Sequence, residues 1–251
     1  MKEDLKAKWM VHHSGCPIPN LPWVMKQTWS DLLFAHYPVK LELLQKHVPT
    51  VLPLDSYNGT GWIGIVPFFV NNQRVRLFPP IYGTNRFLQL NLRTYVTING
   101  KRGIYFIRID MNNLLAGVLA KTFYYMPIQA ATIKMKQDEQ HIDFSSKRHN
   151  VDEFEFHCRY SPITQPFYAA KESFEQWLFE RYSLFSLNRR GEVVRCDILH
   201  DYWPLQHAEG EIYNNSILFN EGIQVASNEP VLHYANKMEA LLWPIMRVEN
   251  Q

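Results

Sequence analysis

The segment Phe87–Ile98 constrains the fold most, because apolar and hydrogen-bonding side chains alternate along it. A period of two is the signature of a β-strand, whose successive side chains point to opposite faces. Leu88, Leu90, Leu92, Val96 and Ile98 share one face with Thr94, and Phe87, Gln89, Asn91, Arg93, Tyr95 and Thr97 share the other. Asn99–Gly100 predicts a tight hairpin after this strand, with a return strand over Gly103–Asp110. The segment therefore predicts an antiparallel strand pair.

The rest of the chain predicts short strands with a few isolated helices. Strands are predicted over Trp29–Tyr37, Trp62–Val70, Ala130–Lys136, His141–Ser146, Glu153–Tyr160, Leu184–Leu187, Val193–His200 and Val231–Met246. Helices are predicted over Pro38–Lys46, from Asn112 or Asn113 to Tyr125, over Ser173–Tyr182 and over Tyr213–Asn220, with a loop over Asn71–Gly83. We expect one α+β domain over residues 1–251, dominated by an antiparallel sheet that closes into a barrel. Residues 1–22, with three prolines, are expected to form an extended tail that packs on this body.

Composition excludes several classes of function. The formal net charge is only +2 and there is no block of basic residues, so we expect no nucleic-acid partner and no membrane partner. Nothing resembles a signal peptide or an apolar run of about 18 residues, the length of a spanning helix. The three cysteines cannot form a complete set of disulfides, which favours a reducing, cytoplasmic location.

Two motifs have ordinary explanations. Gly59, Gly61 and Gly64 match GxGxxG, but a β-rich segment with Pro67 follows where a dinucleotide site needs a helix. The histidines show no metal-ligand spacing. We therefore predict no cofactor and no metal.

The polar face of Phe87–Ile98 has two explanations. It could simply be solvated, as one face of an antiparallel sheet often is. However, Gln89, Asn91, Arg93 and Tyr95 form a row without the Lys or Glu usual on open surfaces. An enclosed arginine would need a carboxylate from a ligand or from the protein.

Several stretches together resemble a known family. They are Trp29–Val39, Leu54–Phe68, Leu90–Val96 (LNLRTYV), Gly103–Phe106, Phe179–Tyr182 and Trp203–Gln206 (WPLQ), in order over roughly residues 25–245. The chain resembles the YqjF-like family of uncharacterised bacterial proteins, within the acetoacetate decarboxylase-like superfamily. The resemblance implies a cone-like antiparallel β barrel with flanking helices and an interior cavity.

The founding enzyme of that superfamily decarboxylates a β-keto acid through a Schiff-base lysine, activated by burial and by an adjacent lysine. The corresponding segment here is Met126–Ala130, in which Ile128 and Gln129 replace the two lysines. Neither side chain can form an imine. Lys121 and Lys134 are close in sequence but are expected at the surface.

A second departure concerns Gln89, where YqjF-like proteins tend to carry Glu. The amide removes a charge, which puts a carboxylate general base in doubt. It also leaves Arg93 without its nearest carboxylate on the same face.

Three functions remain open. The first is binding of a small organic acid or carbonyl compound without Schiff-base chemistry. The second is a lyase, hydratase or hydrolase in which Tyr95, Arg93 and Arg148 polarise a carbonyl. The third is a structural or interaction protein with a filled barrel. The candidate ligand-binding residues are Gln89, Asn91, Arg93, Tyr95, Trp62, Phe106, Ile128, Gln129, Arg148 and Trp203; the oligomeric state is left open.

Overall fold

A computed structural model describes residues 19–79, 83–149, 152–153 and 155–249. Most of the predicted tail over residues 1–22, and Cys16 with it, lies outside the described residues. Within the described part of the chain, twelve strands and four short helices form a β barrel with additional strands.

The strands are β1 Met25–Val39, β2 Gly61–Val75, β3 Phe87–Ile98, β4 Lys101–Met111, β5 Ile128–Gln137, β6 Ile142–Arg148, β7 Phe156–Pro162, β8 Ser183–Leu187, β9 Val193–Leu199, β10 Gln206–Asn215, β11 Val231–Leu242 and β12 Met246–Arg247. The helices are α1 Leu41–Leu44, α2 Leu114–Tyr124, α3 Phe174–Phe179 and α4 Ser216–Asn220, and a 3₁₀ turn over Gln45–His47 follows α1.

Nine of the described strands close a ring in the order β1-β2-β3-β4-β5-β6-β7-β10-β11, and β11 pairs back with β1. The pairings in this ring are antiparallel except for β4 with β5, which is parallel. The mainly antiparallel barrel is therefore confirmed, with a mixed strand pattern. A closed ring has no unpaired edge strand, which protects the backbone from pairing with other chains.

Strands β8 and β9 enclose a second compartment on the other face of β1–β4. β8 runs parallel to β4, and β9 pairs with β8 and with the end of β11 through Leu241 and Leu242. β1, β2, β3, β4 and β11 thus belong to both walls. Their side chains alternate between the nine-stranded barrel and the second compartment, as the period of two requires.

Each side of these shared strands has its own core. Leu90 and Leu92 of β3 join a cluster inside the nine-stranded barrel with Leu33, Phe144 and Tyr160. On the opposite face, Phe87 and Tyr95 join a separate cluster with Phe34, Phe179 and Trp203.

The observed elements correct three predictions. β2 continues to Val75, so the predicted loop over Asn71–Gly83 begins later, because these residues still pair with β1. The predicted helix over Tyr213–Asn220 starts only at Ser216, because the preceding residues extend strand β10, which pairs with β7. Pro67, by contrast, lies opposite a predicted bulge, between the paired residues Ser30 and Ala35 of β1.

Candidate functional site

The second compartment contains a cavity of about 130 Å³. Its wall combines β1–β4 with Leu184 of β8, Ile198 of β9, Leu242 of β11 and the inner side of α2. Small residues of α2, among them Ala116 and Ala120, leave space where larger side chains would fill it. The cavity therefore exists because two sheets and a small-residue helix surround it without filling it.

Aromatic rings form much of this wall. Trp29 and Trp203 stack with their ring centroids 6.1 Å apart. Phe34 contacts Trp203 edge to face at 5.2 Å and Phe179 at 4.8 Å. Such pairs hold one another in fixed orientations, so the apolar part of the cavity is preorganised.

The hydrogen-bonding face of β3 points into the same cavity. Gln89, Asn91 and Arg93 line it, and Phe106 of β4 is paired with Arg93 across the strands. The Gln89 amide donates to Asn91 Oδ1 at 2.5 Å, so the two amides are oriented by each other. The alternation of β3 thus separates a polar cavity wall from the apolar barrel core.

Arg93 is a buried cation, only 8% exposed. Its guanidinium carbon lies 5.4 Å from the ring centroid of Phe34 and 6.0 Å from that of Tyr95. Within the described part of the chain, no carboxylate lies within ion-pair distance of it, and its buried Nε has no hydrogen-bond partner. A buried, charged donor without a partner is costly, which marks this atom as a position for a ligand.

Arg181 lines the cavity beside Arg93 but is already paired. Its Nη1 donates to Asp55 Oδ2 at 2.5 Å and its Nε donates to the Trp177 carbonyl at 2.8 Å. Burial lowers the pKa of Arg181 to about 10, and Asp55 partly opposes this effect. Its Nη2 is buried and has no partner among the described residues, so a second N–H is available at the same cavity.

Tyr95 lies between the two guanidiniums, and Arg181 stacks over its ring at 4.8 Å. Its hydroxyl is 2.6 Å from His36 Nε2. Burial, with the charges of Arg93 and His233, holds the pKa of His36 well below its usual value. Burial also raises the pKa of Tyr95, although Arg93 and Arg181 oppose this. The pair is therefore a neutral hydrogen bond at physiological pH.

The charges around the cavity have one sign. The described wall includes Arg74, Arg93, Arg181 and His200, but no aspartate, glutamate or lysine. Asp55 offsets Arg181, and burial lowers the pKa of His200, which keeps that ring neutral. The balance leaves one uncompensated positive charge, at Arg93, among aromatic side chains.

The profile of the DUF2071 family, described as an uncharacterized conserved protein, matches residues 26–239. A protein of Bacillus subtilis (strain 168), named "Uncharacterized protein YqjF", is 45% identical over 230 residues, which cover 92% of this chain and 95% of the relative. The chain belongs to this YqjF-like family.

Solved structures extend the likeness of this YqjF-like protein to a wider fold. An acetoacetate decarboxylase superposes with a TM-score of 0.62 at 13% identity, over 99% of this chain and 98% of the other. The enduracididine biosynthesis enzyme MppR, in complex with pyruvate, superposes with a TM-score of 0.65 at 10% identity, over 92% of each chain. At such identities the likeness establishes the fold alone, which is acetoacetate decarboxylase-like.

The structure brings together about half of the candidate residues. Gln89, Asn91, Arg93, Phe106 and Trp203 line one cavity of this YqjF-like protein. Tyr95 lies directly behind Arg93. Ile128 packs against the aromatic cluster of the same compartment without lining the cavity.

Trp62, Gln129 and Arg148 lie elsewhere. Trp62 packs against Phe174 of α3, with ring centroids 4.5 Å apart. Gln129 is paired with Asp110 on the side of β4 that faces the nine-stranded barrel, and Arg148 binds Glu155 there at 2.7 Å. Adjacent residues of one strand face opposite sides, so Ile128 and Gln129 cannot enter the same compartment.

Sequence reasoning missed several residues of the wall. Arg181 was placed only on one side of a predicted helix, although it ends the FERY segment that carried the family resemblance. Trp29 and Phe34 lie in the resembling segment Trp29–Val39, but β1 bulges at Asp31, whose φ is 54°. The bulge changes which side chains face the cavity, so their positions could not be counted from the sequence.

Neither a metal centre nor a membrane span is found in the described part of the chain. No three His, Cys, Asp or Glu residues there are arranged to hold a metal ion. The described helices are all too short or too polar to cross a bilayer.

Proposed function

We propose that this protein binds a small organic acid in the cavity of the second compartment, with the carboxylate at Arg93 and an apolar or aromatic body against Trp29, Phe34 and Trp203. The observation that supports this most is the buried guanidinium of Arg93, whose Nε has no partner among the described residues. A carboxylate is the usual partner for such a group, and its charge-assisted hydrogen bonds are about twice as strong as neutral ones.

The surrounding groups favour a monoanion. Only one positive charge at this site lacks a compensating carboxylate, because Arg181 is paired with Asp55. Arg181 Nη2 supplies a second buried N–H for the same ligand. Gln89 and Asn91 extend the polar side of the cavity for a hydroxyl, carbonyl or amide group on the ligand. The opposite side is apolar and excludes water, which strengthens each of these contacts.

Binding is expected to depend on Arg93 and on the ligand's charge. In isothermal titration calorimetry with a panel of benzoate, phenylacetate and branched aliphatic acids, Arg93→Gln should weaken the tightest-binding acid about 10-fold to 100-fold, the value of a charge-assisted hydrogen bond. The amide of that acid should lose as much with the unchanged protein. Arg86→Gln, at an exposed arginine, is the matched control. Equal binding of acid and amide, or an unaffected Arg93→Gln variant, would contradict the proposal.

We further propose that no imine forms with the ligand. The segment that resembles the lysine pair carries Ile128 and Gln129, and no lysine is among the described residues that line the cavity. Borohydride reduction in the presence of acetoacetate or pyruvate is therefore expected to leave the protein mass unchanged. A covalent adduct on any lysine, located by peptide mass spectrometry, would show that this part of the proposal is wrong.

A second candidate function is acid–base catalysis without an imine. The specific support is the short hydrogen bond between Tyr95 and His36 beside Arg93. Such a pair could pass a proton to a carbonyl that the two arginines polarise. Turnover in a screen of carbonyl compounds, abolished by Tyr95→Phe while acid binding remains, would favour catalysis over binding alone.

We also propose that the chain acts as one domain in the cytoplasm. Cys158 and Cys196 are both free and buried, and burial raises the pKa of each thiol. Thiols of this kind suit a reducing compartment.

A further inference from the structure

Helix α2 is oriented with its large apolar side chains towards solvent. Its buried residues are Ala116, Gly117 and Tyr124, which face the protein. Four large apolar side chains on the helix are between 50% and 66% exposed, namely Leu114, Leu115, Val118 and Phe123. An amphipathic helix normally buries its large apolar residues, so this outward face indicates an interaction surface.

The turn between β2 and β3 adds two more apolar side chains. Leu77 is 92% exposed and Phe78 is 67% exposed. The start of α2 is tied to the same connection, because the Asn113 side chain donates to the Gly83 carbonyl at 2.5 Å. Residues of both segments also line the rim of one cavity. We call the six exposed residues the apolar patch: Leu77, Phe78, Leu114, Leu115, Val118 and Phe123.

The segments that carry the apolar patch are strongly basic. Between residues 56 and 137 the chain has ten lysines and arginines and a single acidic residue, Asp110. Asp110 is fully buried, so it adds no exposed negative charge near the patch. Lys121 is exposed on the outward side of α2 and Arg74 is exposed next to the β2–β3 turn. The net charge of +2 for the whole chain conceals this asymmetry.

We propose that the apolar patch docks onto the surface of an anionic lipid bilayer, with the leucines and phenylalanines in the interface and the cations at the headgroups. This combination of an apolar face and flanking Lys and Arg is typical of helices that lie in a membrane surface. Charge complementarity favours this partner over a second copy of the chain, because two copies would bring like charges together. The predicted absence of a membrane partner rested on the lack of a continuous basic run. Folding instead gathers cations that are far apart in sequence.

Flotation of the full-length protein with lipid vesicles tests this proposal without reference to any cavity ligand. We expect binding to vesicles of phosphatidylcholine and phosphatidylglycerol, and little binding to phosphatidylcholine alone. Val118→Ser with Phe123→Ser should weaken partitioning about tenfold or more, since each side chain would leave an apolar environment. Lys121→Glu with Arg74→Glu should also weaken it about tenfold, and high salt should mimic this effect.

The matched control is Tyr168→Ser with Phe219→Ser, which removes two side chains that are 68% and 85% exposed outside the patch. Circular dichroism should show all variants folded, because every changed residue is exposed. Absence of wild-type binding, equal binding to neutral vesicles, or equal loss in the control variant would overturn the proposal. A wild-type dimer in light scattering that Val118→Ser with Phe123→Ser dissociates, without vesicle binding, would instead assign the patch to a second copy.

Discussion

Replacing Arg108 by Met is expected to lower the free energy of unfolding by about 3–5 kcal/mol, the usual cost of breaking a buried ion pair. Arg108 is 1% exposed inside the nine-stranded barrel. Its Nε and Nη2 donate to the two oxygens of Asp110 at 2.7 Å each, and Nη2 and Nη1 donate to Glu155 at 2.9 Å and 3.1 Å. Nη1 also reaches Glu221 at 3.1 Å. All five N–H donors of the guanidinium are therefore satisfied.

Methionine would leave these carboxylates buried with only Arg148 to neutralise them. Burial already raises the pKa of Asp110 despite Arg108. Burial would raise that of Glu155 as well, but hydrogen bonds from Arg108, Arg148 and Asn220 hold it at about 2. Without Arg108 both carboxyls should take up protons at higher pH. Urea unfolding followed by tryptophan fluorescence measures the loss.

Lys26→Met provides the matched control for Arg108→Met, because it breaks an ion pair with Glu239, a residue whose side chain is 59% exposed. Solvent screens such a pair, so its loss should cost less than about 1 kcal/mol. A loss of less than about 1 kcal/mol in Arg108→Met as well would show that the cluster does not hold the barrel interior together.

Strand β3 could be predicted from the sequence because its two faces meet different surroundings. The odd-numbered residues from Phe87 to Tyr95 enter the second compartment, and Leu88, Leu90 and Leu92 pack on the barrel core. A strand buried on both sides usually shows little alternation. Here it alternates because one of its buried sides is polar. That pattern identified Gln89, Asn91 and Arg93 without a structure.

Long-range pairing limited what else could be predicted. The Arg108 cluster joins residues up to 113 positions apart, so no local spacing reveals it. Trp62 follows a turn and sits at the start of β2, where its ring packs on α3. The closing wall is formed by β8 and β9, whose contacts with β4 and β11 depend on a crossover between distant segments. Residue chemistry can nominate a polar face, but the topology decides what encloses it.

Helix α2 shows why an apolar stripe does not always identify the buried face. Leu115, Val118 and Phe123 form the pattern expected of the core side of a helix, yet each is at least 50% exposed. The barrel contacts the small residues instead, because a Cβ added at Gly117 would lie 3.1 Å from Ile128 Cγ2. The close approach of helix and strand at that point determines the orientation, and a hydropathy pattern contains no information on that distance.

Acidification from pH 7 to pH 5 is expected to lower the free energy of unfolding by about 2 kcal/mol through His233 alone. This ring is fully buried. Burial lowers its pKa to about 4 and His207 lowers it further, although Glu175 opposes them. In the unfolded chain the ring binds a proton near its ordinary pKa of about 6.5. The unfolded state therefore gains protons first as the pH falls, and this loss of stability continues from about pH 6.5 down to about pH 4.

His36 should act in the same direction, because its pKa is also held well below the usual value. Urea unfolding at intervals from pH 7 to pH 5 measures the slope, and His233→Gln should flatten it by about 2 kcal/mol over that range. His47→Gln, at a histidine outside the buried set, is the control and should leave the slope unchanged. Glu155, whose pKa is about 2, affects stability only below its ordinary range, so its protonation lies outside this window. Buried carboxyls with raised pKa values, such as Asp31, act in the opposite sense, but they are common to both variants and cancel in the comparison. Equal slopes for wild type and His233→Gln would mean that His233 is protonated in the folded barrel near its ordinary pKa, presumed here to be prevented by its burial beside Phe179 at 5.3 Å.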